Sequence, residues 1–311
     1  MKPFILPVLM LCVFMTGCDQ ARNLYLLANH EIILDDASPS DTTLTDVTAN
    51  RDNKGRPARL LSAFFGLDDA LPGLSNFVIC DGAGGKDGMP VIFSHEIDFS
   101  TLQAGDFKVT TQSGSIGEIT CITLAPADDD GEHRTVLLTG HYGTINDQPA
   151  LVEVVGNLLS KDNTVNFKGV SVAVTALEKG PSLVLAEVVP EQEWELGKLA
   201  SPFLFGGGSG CPITTKQVVR ATWAGGVTKP GGGEINNLEW QHYKVTIIQD
   251  HGRELEVTPF ALGDLGDGDN NHELCLDVAG VPKSVFFPAG HLTDPREDLN
   301  PETKIELSES L

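Results

Sequence analysis

The chain has little long apolar sequence, few cations and no paired cysteine motif, and each shortage removes a class of function. Its one extended apolar run, Pro3 to Thr16, is too short to cross a bilayer as a helix. Lys and Arg number 21 against 43 Asp and Glu, a formal net charge of -22. A chain so poor in cations repels phosphate and lacks the basic patch that nucleic-acid binding requires, so cations are better ligands for it than polyanions. Acidity also serves solubility, so charge alone names no site. No CxxC occurs, and the cysteines are too dispersed for a zinc site. No Ser lies in a Gly-x-Ser-x-Gly elbow and the eight His are scattered singly, so spacing proposes no catalytic triad. The glycine-rich stretches "CDGAGGKDGMP" and "FLFGGGSGCP" lack the strand, Gly-Lys-Ser/Thr and helix context of a phosphate loop, and read as flexible approaches to two domains. No window keeps a helical apolar period for three turns, which leaves the all-β class.

The N-terminus sets an expected compartment. Lys2 is the only charge ahead of the apolar run, which has the form of a secretory h-region and ends in "MTGC". Met15-Thr16-Gly17-Cys18 resembles the lipobox of bacterial lipoproteins. The resemblance implies a signal peptide over residues 1–17 and lipidation of Cys18 by diacylglyceryl and acyl (palmitate) chains. At about 0.8 kcal/mol per buried methylene, several such chains form a lasting membrane anchor. Asp19 resembles the signal that retains enterobacterial lipoproteins in the inner membrane. The expected location is the bacterial envelope, facing the periplasm or the cell surface. Residues 18–58, polar and rich in Asp, Thr, Ser and Asn, read as a tether.

Beyond the tether, segments such as "PVIFSHEI", "FKVTT", "EITCITL", "RTVLLTG" and "ALVEVVG" have strand length, β-branched content and turn-forming boundaries. An internal repeat organises them. Phe107-Lys108-Val109-Thr110 matches Tyr243-Lys244-Val245-Thr246, and "GNLLSKDNTVN" from Gly156 matches "GHLTDPREDLN" from Gly290. Cys80 and Cys211 each precede the first strand of a copy. With Cys12 removed and Cys18 lipidated, Cys80, Cys121, Cys211 and Cys275 form an even set in an oxidising compartment. Pairing within each copy predicts bridges Cys80–Cys121 and Cys211–Cys275. The pattern "VIFSHEIDFSTLQAGDFKVTTQSG" is similar to the bacterial Ig-like domains of surface-layer and other envelope proteins. In that reading Asp98 and Ser100 cap a short turn over Leu102, and Phe107 and Val109 point inward. The second copy lacks the Asp-Ser-Thr-Leu turn. The resemblance implies two tandem Ig-like β-sandwiches, over residues 59–190 and 211–311, joined by a linker at 191–210.

One stretch carries candidate chemistry. In "GDLGDGDNNHELCLD", residues 263–277, Asp267, Asp269 and Asn271 alternate so that successive oxygens turn towards one point. With Asp264 and Glu273 they form a candidate shell for a hard cation such as calcium. The stretch is not an EF-hand: His272 stands where the turn needs Gly, and Val278 where the bidentate Glu belongs. Copy one has "ADDDGEHRTVLLTG" in the corresponding place, setting Asp128, Asp129, Asp130, Glu132 and His133 against Asp264, Asp267, Asp269, His272 and Glu273. A solvated hairpin tip would also want Asp, Asn and Gly there. The expected function is non-enzymatic: a lipid-anchored envelope protein whose Ig-like modules act in binding, adhesion or scaffolding, possible calcium stabilisation included. Its expected partners are the membrane, through the lipid, and an envelope protein or glycan. An envelope hydrolase with a site assembled from distant residues is the alternative, and a compact pocket of hydrogen-bonded His and Asp would favour it.

Overall fold

The computed structural model describes residues 33–35, 55–201, 207–233 and 235–307; the expected signal peptide and Cys18 lie outside them. The described residues form sixteen strands and a single α-helical turn, α1 at Ser75–Val78. In the first half the strands are β1 (Ile33–Asp35), β2 (Leu60–Ala63), β3 (Asp87–Phe93), β4 (Phe107–Thr111), β5 (Glu118–Thr123), β6 (Thr135–His141), β7 (Pro149–Val154) and β8 (Ser171–Ala173). In the second they are β9 (Leu183–Val188), β10 (Gln217–Trp223), β11 (Lys244–Ile248), β12 (Glu254–Val257), β13 (Ala261–Gly263), β14 (Asn271–Leu276), β15 (Val281–Phe287) and β16 (Thr303–Glu306). The fold is all-β, as expected, and all strand pairs within its four sheets are antiparallel.

The repeat reappears as topology. The first half has sheets ordered β1-β5-β6-β3-β2 and β4-β7-β8; the second has β13-β14-β10-β9 and β12-β11-β15-β16. Removing the edge strands β1 and β12 leaves the same order in both, with β2, β3, β4, β5, β6, β7 and β8 answering to β9, β10, β11, β13, β14, β15 and β16. Each half closes its own core between its two sheets. Met89, Val91, Phe93, Phe107, Val109, Leu138, Val152 and Phe167 fill the first. Trp223, Tyr243, Val245, Leu274, Val285 and Phe287 fill the second. The alternating burial of Phe107–Thr111 and Lys244–Ile248 follows from the period-two pleat: one face meets the core and the other meets solvent.

Local turn chemistry is also shared. Asp98 caps the 3-10 turn Phe99–Thr101, its Oδ1 accepting from the backbone nitrogen of Ser100 at 3.0 Å and from Ser100 Oγ at 2.7 Å, and Leu102 is buried beneath. In the second half, Asn236 takes that role on the turn Asn237–His242 and Glu239 completes a capping box. The missing Asp-Ser-Thr-Leu sequence is thus replaced by an equivalent cap. The "Gly-x-Leu…Asn" segments both pair with the stretch that follows β3 or β10, through the bridges Ile97 to Ser160 and Thr228 to Thr293.

Two boundaries differ from the expected ones. Residues 33–35, inside the expected tether 18–58, pair as β1 with Cys121–Thr123. Strand β9, inside the expected first unit 59–190, pairs with β10 of the second half, so the expected linker 191–210 lies within the second half, between β9 and β10. Hydrogen-bond register decides this, because Val219 to Trp223 face Val188 to Leu183. The two expected disulfides are present: Cys80 with Cys121 and Cys211 with Cys275, with Cα separations of 6.6 and 5.7 Å. Cys121 lies on β5 and Cys275 on β14, strands that do not correspond between the halves.

Candidate functional site: an acidic chamber between the two halves

The loop joining β5 to β6 and the loop joining β13 to β14 hold the same topological place in their halves, and they face each other. Three chain segments build the wall. In the second-half loop, positive φ at Asp264, Gly266 and Gly268 coils the backbone tightly, and for the two glycines this costs nothing sterically. Asp267 Oδ1 accepts from the backbone nitrogen of Asp269 at 3.4 Å, and Asp269 Oδ1 from that of Asn271 at 2.8 Å. These local bonds hold the carboxylates on one side. The first-half loop is turned by a bond from the nitrogen of Glu132 to the carbonyl of Asp129. The third segment, Gly207–Gly210, runs over both. The nitrogen of Gly208 donates to Asp129 Oδ2 at 3.0 Å, and a Cβ at Gly208 would stand 2.5 Å from Asp264 Oδ1 and 2.8 Å from Asp267 Oδ2. That close approach is what the glycine-rich "GGGSG" permits.

Two carboxylate triads result. Asp129, Asp264 and Asp267 each offer an oxygen within 4.8 Å of the others, and so do Glu132, Asp264 and Asp269. All but Asp129 are buried. Three oxygens have no hydrogen-bond donor at all: Glu132 Oε2, Asp264 Oδ2 and Asp267 Oδ2, on residues only 1, 7 and 6% exposed. A buried polar atom without a partner costs on the order of 1–3 kcal/mol, more if charged, so three together demand a compensating group. Mutual repulsion adds to the demand. At an effective dielectric of about 20, each ionised pair at such separations is worth roughly 3 kcal/mol against the fold.

The carboxyls respond by holding their protons. Burial, then Glu132 and its neighbouring aspartates, push Asp264 well above the usual carboxylate range. Burial and Asp267 do the same to Asp269. Burial and Glu132 raise Asp267 to about 7, and burial together with Asp129 raises Asp128 to about 7.

Cationic compensation comes from Arg220 and, at the rim, Lys198. Arg220, on β10, is 5% exposed. Its guanidinium lies 3.3 Å from Glu132 of the first half and 3.4 Å from Glu273 of the second, and its Nη1 donates to the carbonyl of Gly131 at 2.9 Å. Burial opposes its charge, but Glu132, Glu273 and Asp264 more than offset that and hold it firmly protonated. Gly131 is required beside it, since a Cβ there would lie 2.6 Å from Nη1. Arg220 therefore neutralises one side of the chamber and joins the halves. Lys198 stands 3.8 Å from Asp129 at the opening.

Of the five residues expected to form a cation shell, the structure brings together Asp264, Asp267 and Asp269. Asn271 stays beside them, its Nδ2 donating to Asp269 while its Oδ1 accepts from Thr222 Oγ1. Glu273 pairs with Arg220, and burial raises it to about 7 despite that partner. Asp129 and Glu132 complete the triads from the first half. Their sequence signal was the acidic stretch in the matching place of copy one; their approach to the second loop depends on how the halves pack. His133 bonds the carbonyl of Asp128 within its own loop.

His272 borders the chamber but belongs to the core. The Tyr243 hydroxyl accepts from Trp223 Nε1 and shares a hydrogen bond with His272 Nδ1, and burial lowers the His272 pKa to about 3. Trp223 is a core residue, Trp240 packs against the same core, and Trp194 covers the Cys211–Cys275 bridge. A separate cluster of Asp69, Asp87 and His141 has a structural explanation: both Asp87 oxygens accept backbone bonds, from Asp69 and from Tyr142.

No family model matches the chain, and no curated protein sequence matches it.

Proposed function

We infer that this is a lipid-anchored bacterial envelope protein whose two tandem Ig-like sandwiches are joined by a bound divalent cation, calcium by its chemistry, and which acts as a binding, adhesion or scaffolding module. One observation carries the cation reading: three buried carboxylate oxygens without a donor, from both halves, belong to two triads that share Asp264. A hard cation supplies the missing partner for all of them. The donor set is purely oxygen, which suits calcium or magnesium over softer metals. In each triad the ligand atoms lie within 4.8 Å of one another, near enough for one ion to contact all three, and calcium accepts an irregular shell of carboxylates where magnesium demands a strict octahedron and keeps its waters. The anchor rests on the lipobox-like Met15–Cys18, and the surroundings it implies are outside the cytoplasm. Two intradomain disulfides fit that oxidising setting.

The experiment is a pair of measurements on the exported protein. Calcium raises the melting temperature and magnesium does so much less; a ligand at a hundred times its dissociation constant adds about 2.7 kcal/mol. The double variant Asp267→Asn, Asp269→Asn loses the response and stays folded. Cys18→Ser loses labelled fatty acid and membrane fractionation. A calcium shift equal in wild type and double variant overturns the cation reading, and unchanged lipid labelling of Cys18→Ser overturns the anchor.

A further inference from the structure

The chamber has two centres. The triads Asp129–Asp264–Asp267 and Glu132–Asp264–Asp269 share only Asp264, and each takes one ligand from the first half and two from the second. The unpartnered oxygens are distributed over residues of both: Asp267, with Oδ2, is in the first triad, Glu132, with Oε2, in the second, and Asp264, with Oδ2, in both. A single ion sits within reach of one set and leaves a buried oxygen of the other without a partner. The charges argue the same way. Among the described residues the five triad carboxyls, with Asp128 and Glu273 beside them, face the cations Arg220 and Lys198, which Glu187 and Glu195 also share. With all seven ionised, one dication leaves three negative charges uncompensated in a largely buried space, and two dications leave one.

We propose that the junction binds two calcium ions, one held by Asp129, Asp264 and Asp267 and the other by Glu132, Asp264 and Asp269, with the Asp264 carboxylate bridging them. This rests on the cation reading above and specifies its stoichiometry. Three carboxylates at each centre, monodentate or bidentate and completed by water, reach the six to eight oxygens that calcium takes. The bridge makes the two ions interdependent, because the first fixes the Asp264 side chain in the orientation that the second requires.

Flow dialysis of radioactive calcium against the full mature chain tests this. Wild type binds two ions per chain. Asp129→Asn and Asp269→Asn each bind one, and Asp264→Asn binds none while keeping both disulfides and a cooperative thermal transition. A wild-type plateau of one ion per chain overturns the two-centre proposal and leaves the cation reading standing; a plateau of zero overturns both. Terbium and europium, loaded together on wild type, give a check that needs no variant. Energy transfer between lanthanides in one chain is expected from adjacent sites, and its absence at saturation contradicts them.

Discussion

The two acidic loops hold the same position in two matching folds, yet they are built differently. The second-half loop fixes its carboxylates locally, through bonds from Asp269 and Asn271 nitrogens to Asp267 and Asp269, and coils over Gly266 and Gly268. The first-half loop has no such ladder. Asp129 is held by Gly208, and Glu132 by Arg220, both from the second half. One loop is preorganised by its own residues and the other by its neighbour. The matching folds thus carry two loops in one topological place, and the two triads form only where those loops meet.

Breaking the cross-link between them has the largest expected effect. Arg220→Met strands Glu132 in the first half and Glu273 in the second, and leaving buried charges unpaired costs about 3–5 kcal/mol. Urea denaturation measures it. Adding Glu132→Gln to that variant recovers part of the loss, which separates the interfacial pair from the one within the second half.

The disulfides compare the halves as folding units. Removing Cys211–Cys275 or Cys80–Cys121 costs about 2–5 kcal/mol, and the longer loop, 64 residues against 41, adds only about 0.4 kcal/mol in the chain-entropy account. Differential scanning calorimetry of Cys80→Ala/Cys121→Ala and Cys211→Ala/Cys275→Ala checks that the losses are nearly equal. A loss confined to one variant would show that the matching sandwiches are unequal supports for the chamber.

Acidity probes the chamber itself. Asp128, Asp267 and Glu273 are raised to about 7 in the folded chain, chiefly by burial, from ordinary values of 3.8 for Asp and 4.5 for Glu. Between the ordinary range and about pH 7 the folded state therefore holds protons that the unfolded state has released. In chelator, stability is fullest below about pH 4 and falls as pH rises from there through 7. Denaturation in chelator from pH 5 to 8 records the slope; a rise instead would mean the carboxyls are already compensated. Smallest are the two turn caps. Asp98→Ala and Asn236→Ala each cost about 1 kcal/mol, and similar losses sharpen the equivalence of the turns they cap.

The strand alternation of Phe107–Thr111 and Lys244–Ile248, the duplicated order of elements and the cysteine pairing were legible in the sequence because each is a local pattern or follows from the repeat. So were Asp264, Asp267 and Asp269, whose spacing is the spacing of a coiled loop. The assignment of β9 was not legible, since an apolar strand next to a boundary pairs with whichever sheet has the free edge. Asn271 and Glu273 have partners that spacing does not reveal, Thr222 and Arg220 on the adjacent strand. The roles of Asp129 and Glu132 depend on the packing of one half against the other, which no periodicity encodes. Arg220 offered a clue: a lone cation in the apolar strand "QVVRATW" needs a buried partner.

Joint cation binding by both halves is read most plainly in the calcium-induced rise in melting temperature of the first-half variant Asp129→Asn, Glu132→Gln beside wild type. A clear rise is expected in wild type, with its near-complete loss in the variant, although the second-half loop is untouched. An undiminished rise in the variant would put the cation in the second-half loop alone and overturn the proposed junction.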